Sequence, residues 1–406
     1  MKLVRTGSQQ FQKLLSRDFR VKKRVAQSVA KIIDDVAAAG DKAVLKYTRK
    51  FDRVNLKSKD IRVTQAEMSG AYQDIKPEIV NALKLVIENV IKFYVRTVRK
   101  SWRTKDKEGV ILGERVTTVD SVGVYVPGGT VPLVSSVYMT VLPARIAGVN
   151  RIALVSPPSS SGTINPYILV MADLLHVTEI YKVGGAQAVA ALAFGTKSIP
   201  RVNKIVGPGN EYVTEAKRQV FGYCDIDMLA GPSEVLVLAN QYANPEYVIK
   251  DLIAQAEHHS GLAILVTPSK RLAGIVKKAV GSGFLIQTKN MDEAVDIANQ
   301  IAPEHLEIMV RNPSKIIKRI KNAGAIFVGP FSPVTVGDYL AGPSHVLPTG
   351  GTARFFSGLG VDSFMKTSHV ISYTRKALEE ACGVLEKLTA IEKLPKHLEA
   401  VKIRFD

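Results

Sequence analysis

The chain has 406 residues, 46% hydrophobic and 23% charged, the balance of a water-soluble protein long enough for two or three buried cores. It contains no run of about 18 apolar residues and no apolar signal core after Met1-Lys2-Leu3-Val4-Arg5, which excludes a helical membrane span and points to the cytoplasm. Two cysteines, Cys224 and Cys382, exclude a disulfide framework and a four-thiolate zinc site.

Lys and Arg number 55 against 37 Asp and Glu, a net charge of +18, which raises the question of a nucleic-acid partner. The densest basic stretch, residues 96–107, contains Trp102 and has the composition to follow a phosphate backbone. No compact nucleic-acid-binding module accompanies it, and the other basic residues are spread along the chain. A solvated basic surface, or one that attracts an anionic dinucleotide, accounts for the same charge. A basic RNA-binding α/β protein is the non-enzymatic alternative.

In chain order, residues 1–20 read as an N-terminal arm, followed by helices. From Val21 to Leu45, apolar Val25, Val29, Ile32, Ile33 and Val36 follow the helical period, and Gly40 is placed to stop that helix. Pro77 opens a second long amphipathic helix over Glu78–Val98, with Ile79, Leu83, Val86, Ile87, Val90 and Phe93 on one stripe.

Near Asp120 the texture changes to a β-strand and helix alternation. Strands are expected at 121–126, 151–156, 179–183 and 204–206, with helices at 137–147, 166–175 and 188–194 between them. Glycines mark the strand ends in Pro127-Gly128-Gly129, Gly184-Gly185-Ala186-Gln187 and Gly207-Pro208-Gly209-Asn210. This rhythm predicts a parallel sheet with a ligand at the carboxyl ends of its strands. The G-x-G-x-x-G fingerprint is missing, but Tyr125, Gln187 and Asn210 stand at three backbone-exposing turns that can converge on one ligand.

A second parallel sheet is predicted from strands at 234–239, 263–267, 283–287, 305–310 and 325–328, with helices at 245–256, 271–280, 291–301 and 313–322. Residues 332–357 read as a long loop of the kind that carries function. Residues 374–401 are helical with a break at Pro395, too few to form a core, so the tail must dock elsewhere, a second subunit included.

Two local patterns suggest chemistry. Ala302-Pro303-Glu304-His305-Leu306-Glu307 places a carboxylate beside an imidazole at a turn or a helix start, a pair suited to proton transfer near neutral pH. The plain alternative is a helix N-terminus with Glu304 and Glu307 in its first turn. Gln255 and His258, three apart on a predicted helix, project from one face and can share a metal, although His258-His259 can equally be the positive end of that helix. Zinc takes about four donors, and Asp338 and His397 are available to complete such a set.

Ala230-Gly231-Pro232-Ser233-Glu234-Val235-Leu236-Val237, Gln255-Ala256-Glu257-His258, Ala302 to Glu307, Gly337-Asp338-Tyr339 and His345-Val346-Leu347-Pro348-Thr349 together closely resemble the histidinol dehydrogenase family, and the three upstream glycine turns match it in the same order. The resemblance runs from about Val122 to the tail. It implies oxidation of L-histidinol through the aldehyde to L-histidine, the last steps of histidine biosynthesis, with two NAD reduced in turn and one Zn2+ per site. It implies zinc ligands Gln255, His258, Asp338 and His397, the last from the partner subunit of a homodimer. His259 stands beside His258, and the spacing from Gln255 favours His258.

The same resemblance implies Glu304 and His305 as the catalytic pair. It assigns substrate contacts to Ser233, His345 and Glu392 together with the zinc ligands and His305, and NAD contacts to Tyr125, Gln187 and Asn210. A related zinc and NAD dehydrogenase acting on another amino alcohol or a sulfonated alcohol is the alternative within enzymology. The expected architecture is two Rossmann-like α/β domains. Residues 21–123 with 234–360 are expected to carry the metal and catalytic residues, and 124–233 to be an inserted NAD-contacting domain. Residues 361–406 are expected to be a helical tail docking on the partner.

Overall fold

The computed structural model describes residues 1–17, 21–128, 132–257 and 260–405. The chain opens with a short strand β1 (Lys2–Leu3) and helix α1 (Gln9–Ser16), then helices α2 (Lys23–Ala39), α3 (Asp41–Phe51), α4 (Gln65–Ala71) and α5 (Pro77–Tyr94). Gly40 ends α2 at φ +53 and lets α3 begin at once. Strands β2 (Trp102–Lys105) and β3 (Ile111–Thr118) follow.

The first α/β unit comprises β4 (Ser121–Tyr125), α6 (Val134–Ala147), β5 (Arg151–Ser156), α7 (Pro166–Leu174), β6 (Glu179–Lys182), α8 (Gly185–Phe194), β7 (Lys204–Val206), α9 (Glu211–Val220) and β8 (Asp225–Ile226). Its strands pair in parallel in the order β6-β5-β4-β7-β8. Side chains alternate across the pleat: Ile152 and Leu154 of β5 join one apolar cluster, Ala153 and Val155 the other. Helices α6 and α7 cover the first face, α8 and α9 the second. Nearly every residue of α8 is buried, as its Ala-rich, chargeless sequence requires.

The second unit comprises β9 (Glu234–Ala239), α10 (Pro245–Gln255), β10 (Leu262–Thr267), α11 (Lys270–Ala279), β11 (Phe284–Gln287), α12 (Met291–Ile301), β12 (His305–Met309), α13 (Pro313–Ile317), β13 (Ala325–Val328) and α14 (Val334–Tyr339). Its strands are parallel in the order β1-β11-β10-β9-β12-β13. Strand β14 (Met365–Ser372) and helices α15 (Arg375–Ile391) and α16 (Pro395–Lys402) complete the chain.

The two parallel α/β units agree with expectation, but the grouping of the flanking segments does not. Helices α2 and α3 bury Val25, Val29, Ile32, Val36 and Val44 with α8 and α9, and α4 and α5 bury Met68 and Val90 with α6 and α7. Residues 21–94 therefore pack on the sheet of 124–233, not on that of 234–360. A helical stripe shows that a face is buried but not against what. The expected 1–20 arm is, over its described residues 1–17, likewise integral: β1 pairs with β11, and Phe11 and Leu14 of α1 join the core under β9 and β12. Residues 361–406 are not purely helical, because β14 pairs antiparallel with β3 from Met365↔Thr118 to Ser372↔Ile111, and β3 pairs with β2. The loop expected over 332–357 contains α14, the helix on which Asp338 stands.

Candidate functional site

The link from α12 into β12 is a helix end followed by a strand start. Ala302 takes the left-handed conformation, φ +49 and ψ 62, and its N–H closes on Ala298. That geometry is unusual for a residue with a Cβ and costs about 1 kcal/mol or more. It replaces the helix start considered for this hexapeptide. Pro303 then leads Glu304 and His305 onto the amino end of β12, where His305 lies opposite Val235 of β9. Gly324 passes so close that a Cβ there would meet the Glu304 carbonyl at 2.6 Å.

Glu304 and Glu234 bind each other's backbones. Glu234 N–H donates to Glu304 Oε2 at 2.9 Å, and Glu304 N–H donates to Glu234 Oε1 at 3.2 Å. Glu234 Oε1 also accepts the N–H of Gly350 at 3.0 Å, and its other oxygen pairs with the Arg17 guanidinium. Two buried carboxylates are thus held near each other by donors rather than left to repel.

His305 Nδ1 lies 3.0 Å from the Glu234 carbonyl oxygen. A carbonyl only accepts, so Nδ1 carries the proton and Nε2 is left facing Asp338 Oδ1 at 3.6 Å. Burial alone would lower the pKa of His305, but the carboxylates of Glu304 and Asp338 outweigh it and hold the imidazole above its ordinary value.

A cavity of about 1560 Å3 runs from the carboxyl ends of β4, β6 and β7 to α10 and α14. Tyr125, Gln187 and Asn210 line its first end, and Gln255, Asp251 and Asp338 its second. A smaller, mostly apolar cavity of about 620 Å3 adjoins it and includes His345, Tyr94 and Phe327. Asp338 lines both cavities. Neither Glu304 nor His305 does; Asp338 stands in front of the imidazole.

At the first end the three expected turns converge. Gln187 is 1% exposed, and neither polar atom of its amide has a hydrogen-bond partner among the described residues, which is costly unless a ligand satisfies it. The buried Tyr125 hydroxyl accepts the Gly185 N–H at 3.0 Å, and burial pushes its pKa up to about 12. Asn210 caps α9 by accepting the N–H groups of Tyr212 and Val213.

Gly207 shapes this end, since at φ +113 its backbone passes where a Cβ would collide with the Tyr125 carbonyl. The buried Lys217 and Asp227 ion pair clamps the turn, with Asp227 accepting the Gly207 N–H at 2.7 Å and Lys217 donating to its carbonyl at 3.0 Å. Asp52, just beyond α3, also lines the cavity; burial pushes its carboxyl up to about 6.

Gln255 is buried at the last turn of α10, and its Nε2 has no hydrogen-bond partner among the described residues. Among those residues no three or more His, Cys, Asp and Glu cluster as a metal site. His258, the expected second ligand, lies outside the described residues, as does His259. Glu392 and His397 are exposed on the tail and line neither cavity of their own chain. Ser233 is half-buried just before β9, and its carbonyl accepts the Leu262 N–H at 2.9 Å. Cys224 is buried with its thiol pushed up to about 11, and neither cysteine lines a cavity.

Sequence reasoning passed over four participants: Glu234, Arg17, Glu307 and Asp251. Glu307 was findable, because alternation along β12 puts it on the same face as His305. The partnership of Arg17 with Glu234 spans more than two hundred residues and left no local signal.

A family model described as histidinol dehydrogenase matches residues 15–405, reaching further toward the N-terminus than the motifs do. The histidinol dehydrogenase of Caldanaerobacter subterraneus subsp. tengcongensis is 48% identical over 414 residues, covering 97% of this chain and 96% of that protein. The histidinol dehydrogenase of Clostridium acetobutylicum is 45% identical over 418 residues, covering 98% and 96% respectively. The crystal structure of histidinol dehydrogenase from Elizabethkingia anophelis matches with a TM-score of 0.93 at 35% identity, covering 100% of this chain and 98% of that one.

Proposed function

The chain belongs to the histidinol dehydrogenase family, and on that premise we propose the residues, metal and cofactor by which it works. It is an NAD-dependent oxidoreductase that oxidises histidinol in histidine biosynthesis. The full course is a four-electron oxidation of L-histidinol to L-histidine through the aldehyde, with two NAD reduced. The observation that carries the residue roles is the hydrogen bond from His305 Nδ1 to the Glu234 carbonyl, which leaves Nε2 as the basic nitrogen beside Asp338.

The donor set fits zinc. Gln255 lines the cavity and can offer its amide oxygen, Asp338 lines the same cavity with a carboxylate, and His258 follows Gln255 by three residues. His397 of the partner subunit completes the set. These residues would hold Zn2+, which would supply Lewis-acid orientation of the substrate's imidazole and amino group. Tyr125, Gln187 and Asn210 would hold NAD, which would supply the hydride acceptor. The unsatisfied Gln187 amide supports that placement.

In the first oxidation, His305 Nε2 takes the hydroxyl proton as hydride leaves the carbinol carbon. Asp338 must give way for the substrate to reach that nitrogen. Glu304 then takes a proton from the water that adds to the aldehyde, the hydrate anion so formed gives up a second hydride to leave the carboxylic acid, and that acid releases its proton as the carboxylate product. Ser233, His345 and the partner subunit's Glu392 contact the substrate, with His345 in the wall of the smaller cavity. Adding histidinol and NAD to zinc-loaded protein should give two NADH per histidine formed; a ratio of one, or no NADH, rejects the four-electron course.

We propose a homodimer with shared sites. The tail exposes Val384, Leu388, Ile391 and Ile403, and Phe331 and Phe355 are exposed as well, large apolar side chains of the kind a subunit interface covers. Mixing Gln255→Ala with His397→Ala subunits should restore about a quarter of normal activity, because half the random dimers are hybrids with one intact site of two. No recovery after verified subunit exchange rejects the shared site. Among the described residues no helix is long and apolar enough to cross a membrane; we place the enzyme in the cytoplasm.

A further inference from the structure

We propose that Glu307 and Asp251 form a hydrogen-bonded carboxyl pair that positions the metal-binding residues by tying the helices of Asp338 and Gln255 to the strand of His305. The inference rests on the zinc reading above. Glu307 is buried on β12 two residues after His305, so both side chains leave the same face of the strand. Met309 on that face packs in one cluster with Val248 and Leu252 of α10, and Val334 of α14 packs against it. Glu307 is therefore a carboxyl in an otherwise apolar layer, with α10 and α14 on either side.

Each of its contacts has a structural consequence. Glu307 Oε1 accepts the N–H of Val334, the first residue of α14, at 3.0 Å. That bond satisfies one of the free donors at the helix start and sets where the helix begins. Asp338 comes four residues later, one turn on. On the other side, the carboxyl of Asp251 is electrostatically coupled to that of Glu307, whose second oxygen, Oε2, has no other hydrogen-bond partner among the described residues. Asp251 stands on α10 four residues before Gln255, again one turn away on the same face.

Two carboxyls so placed cannot both be ionised, so one carries the proton that makes the bond. Burial and then the neighbouring Asp251 push Glu307 up to about 8, and burial raises Asp251 as well. Second-layer groups of this kind orient first-layer ligands, and their loss weakens metal binding by about 10–100-fold.

The test measures zinc affinity of the full chain by competition with a chromogenic chelator, alongside thermal unfolding, for wild type, Glu307→Gln, Glu307→Ala and Asp251→Ala. Glu307→Gln can still accept from Val334 and can donate to Asp251, so it should bind zinc within about threefold of wild type. Glu307→Ala and Asp251→Ala should unfold cooperatively and bind zinc about 10–100-fold more weakly. Wild-type affinity in Asp251→Ala overturns the proposal, and that variant decides the matter if Glu307→Ala does not fold. A loss in Glu307→Gln as large as in the alanine variants also overturns it, since the role would then require the acid itself. A wild type that takes up no zinc overturns the metal reading, and the positioning role with it.

Discussion

Glu304→Gln is expected to leave oxidation of histidinol to the aldehyde within about tenfold of wild type while slowing oxidation of the aldehyde by about 10²–10⁴-fold, the usual contribution of a general base. The substitution is structurally conservative at this position. Glu304 Oε2 accepts the Glu234 N–H, and its own N–H donates to Glu234 Oε1; a glutamine oxygen can accept the first bond, and the second belongs to the backbone. What the amide cannot do is take a proton from water. The first oxidation needs a base only for the hydroxyl proton, and His305 Nε2 fills that role because its other nitrogen is committed to the Glu234 carbonyl. Stopped-flow NADH formation, started separately from histidinol and from the aldehyde, gives the two rates. Equal losses in both would remove the water-activating role and assign Glu304 to orienting His305, 3.6 Å away.

How much of this was legible in the chain depends on the range of the cause. Strands β5, β7, β9 and β13 and helix α12 run where their local pattern predicts, because β-branched runs and the caps that bound them are properties of a few neighbouring residues. The convergence of Tyr125, Gln187 and Asn210 was also legible, since parallel strands put their carboxyl ends on one edge. Strand β14 was not: its partner β3 lies about 250 residues earlier, and its surface is exposed, which erases the apolar alternation that marks a buried strand. Helices α2 and α5 were read correctly as amphipathic but grouped with a sheet on which they do not pack, because periodicity names a face and not its neighbour. The family motifs give the site residues as a set, whereas the order of contact from Arg17 to Glu234, from Glu234 to Glu304 and His305, and from His305 to Asp338 emerges only from the fold.

That order of contact makes Arg17 the residue whose loss should destabilise the protein most. Its guanidinium pairs with the buried carboxylate of Glu234 and donates to the Ile301 carbonyl at the end of α12. Burial and then the nearby Arg354 lower its pKa to about 10, so it stays charged at neutral pH. Arg17→Ala leaves Glu234, 2% exposed, with only backbone N–H donors to hold its charge. Breaking one side of such a pair costs about 3–5 kcal/mol, about 4–6 °C in melting temperature for a chain of this size. Replacing both partners, Arg17→Met with Glu234→Gln, removes the uncompensated charge and should recover much of the loss. A single Arg17→Ala variant that melts within about 1 kcal/mol of wild type would sink the prediction. The same variant should also lose activity in both oxidations, because the Glu234 that Arg17 holds is the residue whose carbonyl sets the His305 tautomer and whose N–H seats Glu304.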